Sequence, residues 1–362
     1  MAASVQPGPG PGARAFAYAS TCRVAMRGVL LALTVAALLP TVAAAATRPR
    51  VTAHSARLYA GTFGSLSDSG WIGGDGTNSV GLPDGRDCWI FSDTITSSSA
   101  AGLTFAHNSI VSTGHGRPRV IANPMPQPSP DAFYWAGAAR VAFGQIWEIA
   151  ERIVQTGPGL WDFHFAGNYL AKINIGNWKL ASMTALAGTI NATVDWGVAM
   201  LDRGRYTYIY GSESQGLSSW LHVARVPKGR LDAPWTYYTG RRWTTDASDS
   251  RRLLPGVAPA FSVVDLGAGR GIRVITQQPM MGQAIYSWHA ASPVGPFTAQ
   301  HTIYTTGNFG ARTYTYNTLA HPEQTAGGQM LFSFNVNSFD ALSPADATLY
   351  RPRFFRVPLS RL

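Results

Sequence analysis

Five stretches of this 362-residue chain read as β-hairpins, and they recur at a spacing of roughly 60 residues. They cover residues 77–93, 138–153, 195–211, 260–277 and 318–335. Each has an alternating apolar run, a glycine-containing turn and a second run. A third strand follows each hairpin, at 107–113, 168–175, 220–226, 284–289 and 350–357, and the connections are dense in Gly, Ser, Thr and Pro. No long amphipathic helical pattern interrupts the series. Repeated blocks of three or four antiparallel strands predict an all-β, five-bladed β-propeller better than a sandwich or barrel, because only radial repetition reuses one unit at constant spacing. In such a fold the opening strand of every blade lines a central channel, so residues at the strand starts converge on one mouth. Asp75, Asp195 and the segment 316–323 are placed to do so.

Residues 1–46 are set apart from that unit. Arg14, Arg23 and Arg27 accompany an apolar run from Gly28 to Leu39 and a small-residue tract ending at Ala46, the pattern of a secretory signal. The expectation is an extracellular protein whose mature part is one domain over residues 47–362, with no membrane insertion after cleavage, since the apolar run is too short to span a bilayer. Cys88 is then the only cysteine. With no internal disulfide available, stability has to come from a large core, and Cys88 is expected on a buried strand.

The formal charge is +10, and loss of the leader removes three arginines and no acid, leaving +7. Charged residues make up only 13% of the chain, and no Lys/Arg run resembles a nucleic-acid arm. A nucleic-acid partner is therefore not expected; the positive balance reflects either a general preference for arginine across the lineage or an anionic surface, the first being the stronger reading. Eleven tryptophans and 14 tyrosines among 38 glycines fit β-proteins that present flat aromatic faces to sugars, although the same residues build ordinary β cores. A monomer with a polysaccharide substrate is expected.

The first hairpin carries the clearest chemistry. Pro83 fits the second position of a type I turn and Gly85 the left-handed bulge position after it, a three-residue loop that pairs Leu82 with Arg86. Counting back along both strands sets Asp75 opposite Asp93. Directly opposed residues have Cβ atoms about 4.5 to 5.5 Å apart, and like charges there are destabilising. A functional pair, one pKa raised by the other carboxylate, is one explanation; strand-end turn and cap aspartates are the other.

Around those residues the sequence resembles a known family. The blocks Trp71-Ile-Gly-Gly-Asp75-Gly, Leu82-Pro-Asp-Gly-Arg86, Phe91-Ser-Asp93-Thr, His107-Asn-Ser, Tyr208-Ile-Tyr-Gly, His222-Val-Ala-Arg, Ser292-Pro-Val-Gly-Pro-Phe297, Ala320-His-Pro-Glu323, Asn335-Val-Asn-Ser and Tyr350-Arg-Pro-Arg-Phe354 look like those of secreted actinobacterial five-bladed propellers. Many of those carry only an uncharacterised-domain label. They are similar to the propeller endo-D-arabinanases that cut mycobacterial-type cell-wall arabinan. The resemblance implies a glycoside hydrolase acting on a furanose-rich polysaccharide of arabinan or arabinogalactan type, with Asp75 and Asp93 at the positions of the catalytic carboxylate pair. Glu213 and Glu323 are the reserve acids. One departure stands out: where relatives tend to show Trp-Pro-Gly-Asp, this chain reads Trp135-Ala-Gly-Ala138. The lost acid keeps a second expectation open, a glycan-binding propeller without catalysis.

Other residues are weighed for substrate contact. Trp71 and Trp135 are expected to flank the mouth and could stack on a sugar ring. Asn108, within His107-Asn-Ser, could bond a sugar hydroxyl, and His321 could position Glu323 or reach substrate. Arg351 and Arg353 are expected to tie the last blade to the first. The eight histidines show no metal-ligand spacing, so no catalytic metal and no cofactor are expected, with a structural calcium left open. No Gly-x-Ser-x-Gly elbow or phosphate-cradling loop is present, which argues against esterase and nucleotide chemistry.

Overall fold

A computed structural model describes residues 53–362, apart from 115, 160, 217 and 268. The expected signal segment, 1–46, lies outside the described residues. The described part is all-β in its core. Five antiparallel sheets follow one another along the chain, each opening on a strand that runs into a hairpin: Asn78–Gly81 with Asp87–Phe91; Ala139–Ala142 with Gln145–Gln155; Val194–Arg203 with Tyr206–Gln215; Phe261–Asp265 with Ile272–Gln278; and Thr313–Ala326 with Gln329–Ser338. Third strands at Ser109–Thr113, Phe163–Asn174, Ser218–Pro227, Ala284–Ala290 and Arg353–Pro358 extend them. Opening strands neighbour one another between the first and second, third and fourth, fourth and fifth, and fifth and first sheets, while the second sheet meets the third through Gln145–Gln155 and Phe163–Asn174. Residues from all five line one cavity of about 280 Å³.

The second strands of the first two hairpins are buried along their middles on both faces, so the runs there do not alternate between buried and exposed residues. Cys88, Trp89, Ile90 and Phe91 are all buried, as are Ile146, Trp147, Ile149 and Ala150. Cys88 is a free, buried strand residue. The first hairpin has the expected register, with Asn78 opposite Ile90 and Gly81 opposite Asp87. Its turn closes through Leu82 N–H to the Arg86 carbonyl at 2.7 Å, and Gly85 takes φ 84°.

Each site-bearing inner strand is bent near its start. Gly76 (φ 60°), Gly197 (φ 86°) and Asn317 (φ 50°) adopt left-handed backbone just after Asp75, Asp195 and Tyr316. The ladder slips between Trp196 and Ala199 and between Tyr316 and Leu319. Bulges of this kind re-aim neighbouring side chains without ending the strand. In the second sheet the break is complete: Ala132–Trp135 and Ala139–Ala142 both pair with Gln145–Gln155, and a Cβ at Gly137 would stand 2.1 Å from the Ile149 carbonyl oxygen.

Three elements depart from the expected plan. A helix, Ala53–Gly64, precedes the first sheet and packs Phe63 against Trp71, Trp89, Phe91 and Phe354. A small sheet of Gly73–Gly74, Thr94–Ser99 and Gly102–Ala106 extends beyond the first hairpin. The segment expected to open a strand at 350 instead ends a 3-10 helix, Pro344–Tyr350, begun by a Ser343/Asp346 capping box. Arg351 does join the chain's two ends, donating to the Ile72 carbonyl at 2.7 Å and to Ser67 Oγ at 2.8 Å. No described helix is long and apolar enough to cross a membrane.

Candidate active site

Asp75 and Asp93 stand opposite each other at the base of the first sheet. Asp75 N–H donates to the Asp93 carbonyl at 3.1 Å, and Ser92 N–H returns a bond to the Asp75 carbonyl at 2.8 Å. Two tyrosine hydroxyls, from Tyr316 and Tyr350, each donate to Asp75 Oδ2 at 2.7 Å. Asp75 Oδ1 is buried with no partner among the described residues. Burial, and after it the Asp93 charge, pushes the Asp75 carboxyl up to about 7 against the pull of the two hydroxyls. Burial first, and then the Asp75 charge, holds both tyrosines well above their ordinary range, so they act as fixed donors.

Asp93 is held from the other side. Its Oδ1 meets His107 Nδ1 at 2.9 Å and accepts the Trp135 indole N–H at 3.0 Å. His107 lies flat on Phe133, with ring centroids 3.8 Å apart. Trp135 thus reaches the site by its polar edge, and it keeps part of its surface free.

A second carboxyl pair stands at the same mouth. Glu151 lies across from Trp135 in one ladder and from Asn168 in another, so the three side chains share a face. Asn168 Nδ2 donates to Asp195 Oδ1 at 2.8 Å while its Oδ1 accepts the Trp196 amide at 2.8 Å. Burial and Asp195 raise Glu151 well above the carboxylate range, with Asp75 contributing, whereas burial raises Asp195 to about 7. Two carboxyls within hydrogen-bond reach disfavour double ionisation, so the pair favours holding one proton between them. Asp195 was expected at the mouth, but Glu151, Tyr350 and Asn168 were missed. Glu151 sits on a second strand rather than at a strand start, and Tyr350 was assigned to a strand.

The reserve acids lie elsewhere. Glu213 is gripped by Arg252, at 2.6 Å to each oxygen, and by His222 at 3.0 Å, and the Arg252 bonds hold it below the usual range. A carboxylate held ionised in this way cannot serve as a general acid near neutrality, which corrects the expectation for Glu213. Glu323 lies in the channel cavity, bonded to Ser79 Oγ and raised by its surroundings. That cavity includes none of Asp75, Asp93, Glu151 or Asp195, so Glu323 is apart from the paired acids.

Three expected substrate contacts are structural. Trp71 is completely buried, with ring centroids 5.2 Å from Phe63 and 4.9 Å from Phe91, so it cannot stack on a ligand. Asn108 is consumed by main-chain bonds to Met125 and Tyr134. His321 is buried between Ser79 Oγ at 2.6 Å and Ser333 Oγ at 2.9 Å, and burial drives its pKa down to about 3; it touches Glu323 only through Ser79. Ala138 leaves no acid at its position, and its amide bonds the Gly197 carbonyl at 2.8 Å. Among the described residues no group of three His, Cys, Asp or Glu could hold a metal ion.

Among solved structures, a Bacteroides ovatus protein provisionally assigned as a hydrolase matches with TM-score 0.68 at 24% identity, over 83% of this chain and 88% of that one. The catalytic domain of the Coprinopsis cinerea GH62 α-L-arabinofuranosidase matches with TM-score 0.50 at 9% identity, over 79% of this chain and 91% of that one. At these identities the likeness is one of fold. No match was found among curated proteins. The family model described as a domain of unknown function, DUF5005, matches residues 103–358, a stretch that begins after Asp75 and Asp93 but holds Trp135, Glu151, Asp195, Tyr316 and Tyr350. That match spans well over half of the chain, and the protein belongs to the DUF5005 family.

Proposed function

We propose that this protein is a secreted glycoside hydrolase that cleaves a furanose-rich cell-wall polysaccharide of arabinan or arabinogalactan type, built on a five-bladed β-propeller. The observation that carries this reading is the Asp75 carboxyl: one oxygen is fixed by two tyrosine hydroxyls, the other is buried without a partner, and a second carboxylate stands opposite. A buried acceptor left unpaired costs about 1 to 3 kcal/mol, a cost that active sites sustain for a group that engages a reacting centre.

Glycoside hydrolysis needs one carboxyl to protonate the leaving oxygen and another to attack the anomeric carbon or activate water. Asp75 suits the first task, since burial pushes its carboxyl up to about 7, where it can hold a proton near neutrality, and its Oδ1 has no protein partner among the described residues. Asp93 takes the second, with His107 and Trp135 on Oδ1 fixing its plane and Oδ2 taking no protein hydrogen bond among the described residues. Glu151 and Asp195 keep a shared proton beside them, which limits the negative charge of the mouth. The fold likeness to an α-L-arabinofuranosidase domain is in keeping with a furanose substrate.

Ala138 favours the alternative of a glycan-binding protein without catalysis, because it lacks the acid that the resemblance leads one to expect. Glu151 supports catalysis, as it supplies a further carboxyl to the mouth. Incubating the purified protein with arabinogalactan and following oligosaccharide release separates the two: products support the hydrolase, and retention of the polymer without products supports the binder.

A further inference from the structure

An aromatic run leads away from the acids. Trp135, whose N–H is bonded to Asp93, meets Phe163 edge to face at 5.0 Å, and Phe163 meets Trp161 at 6.5 Å. Trp135, Phe163 and Glu151 belong to one face of the second sheet by ladder register. Trp161 is 42% exposed.

The loop that carries Trp161 is built to hold it. Thr156 N–H donates to the Asp162 carbonyl at 2.6 Å, and Asp162 Oδ2 accepts the Gly159 amide at 2.9 Å. Gln155 Nε2 donates to the carbonyls of Gly157 at 2.8 Å and Gly159 at 3.2 Å. A Cβ on Gly157 or Gly159 would stand 2.6 or 2.8 Å from Asp162 Oδ2, so the tight course depends on both glycines. A hydrogen-bonded turn that displays an indole to water, next to two more rings and a paired acid, has the composition of a sugar-stacking platform: flat apolar faces for the C–H side of each sugar, with polar groups at one end.

We propose that Trp161, Phe163 and Trp135 form a glycan-chain subsite that seats consecutive sugar residues of a polysaccharide leading into the Asp75–Asp93 pair. This rests on the hydrolase reading for what happens at its inner end, but the binding itself does not require catalysis. The occupant is a neutral polymer of several linked sugars rather than a single sugar, because only a chain can cover Trp161 and reach Asp93 together.

The test measures arabinogalactan binding by affinity gel electrophoresis and the KM for its hydrolysis, in wild type, Trp161→Ala, Trp161→Phe and the control Phe143→Ala, an aromatic 74% exposed outside the mouth. Trp161→Ala should weaken retention and raise KM at least about tenfold, with kcat little altered. Trp161→Phe should recover part of the loss, and Phe143→Ala should match wild type. Equal retention and KM for Trp161→Ala and wild type would overturn the platform while leaving the hydrolase standing. Retention that depends on Trp161 without any hydrolysis would keep the platform and remove the hydrolase. A wild type that neither retains nor cleaves the polymer would overturn both.

Discussion

Asp75 donates its main-chain N–H to the carbonyl of Asp93 at 3.1 Å, so the two acids are tied through the backbone before their side chains are considered. The turn at Leu82–Arg86 sets this juxtaposition, and the left-handed Gly76 then bends the chain out of the ladder. The pairing survives changes to either side chain. Conservative substitutions at the two positions therefore probe chemistry rather than folding.

Tyr316→Phe should move the alkaline limb of the pH–activity profile upward. The Tyr316 hydroxyl stabilises ionised Asp75, so its loss raises a pKa already pushed to about 7, and the protonated acid persists to higher pH. A kcat/KM profile measured from about pH 4 to about pH 9 shows the shift. An unmoved limb would mean that Asp75 does not set it.

Glu213→Gln should leave the same profile in place. Its carboxylate serves Arg252 and His222, not the paired acids, so the expected cost is a small one in stability, since Arg252 is exposed. Activity should fall less than about tenfold in kcat. Chemical denaturation alongside kinetics separates the two effects.

Glu148 gives a stability prediction of defined sign. It is wholly buried, with only the pull of the Gly137 main chain opposing the effect, and burial raises it to about 8. A carboxyl whose folded pKa lies above its unfolded value favours the fold while protonated, and that contribution is lost as pH rises from the unfolded value through about 8. Unfolding free energy should therefore decline from weakly acidic pH to about pH 9. Glu148→Met, of similar volume, should flatten the decline and be the more stable protein at the alkaline end. Parallel slopes for the two proteins would contradict this.

Trp71→Ala should cost about 3 to 5 kcal/mol, the range for deleting a fully buried aromatic, because it empties the contact among Phe63, Phe91 and the N-terminal helix. The KM of whatever folds should stay close to wild type. A raised KM with undiminished stability would return Trp71 to the binding surface.

The hairpins were legible because their signal is local. Period-two runs, a Pro-Asp-Gly turn and a fixed register place Asp75 opposite Asp93 without knowledge of the rest of the chain. Trp71, Asn108 and His321 were misplaced for a different reason: motif position says nothing about which way a side chain turns, and all three turn into the core. Glu151 escaped notice because its approach to Asp195 depends on how two neighbouring sheets meet. Tyr350 escaped because a capping box at Ser343 starts a 3-10 helix inside what reads as a strand. The helix Ala53–Gly64 has neither an acidic first turn nor a basic last turn to announce it.

The most direct measurement is oligosaccharide release from arabinogalactan by wild type, Asp75→Asn and Asp93→Asn, with folding checked by circular dichroism. The wild type should release products, and each variant, folded, should lose turnover by about 10²-fold or more. Undiminished turnover in either variant, or no products from the wild type, would contradict the assignment of these two aspartates as the hydrolytic pair.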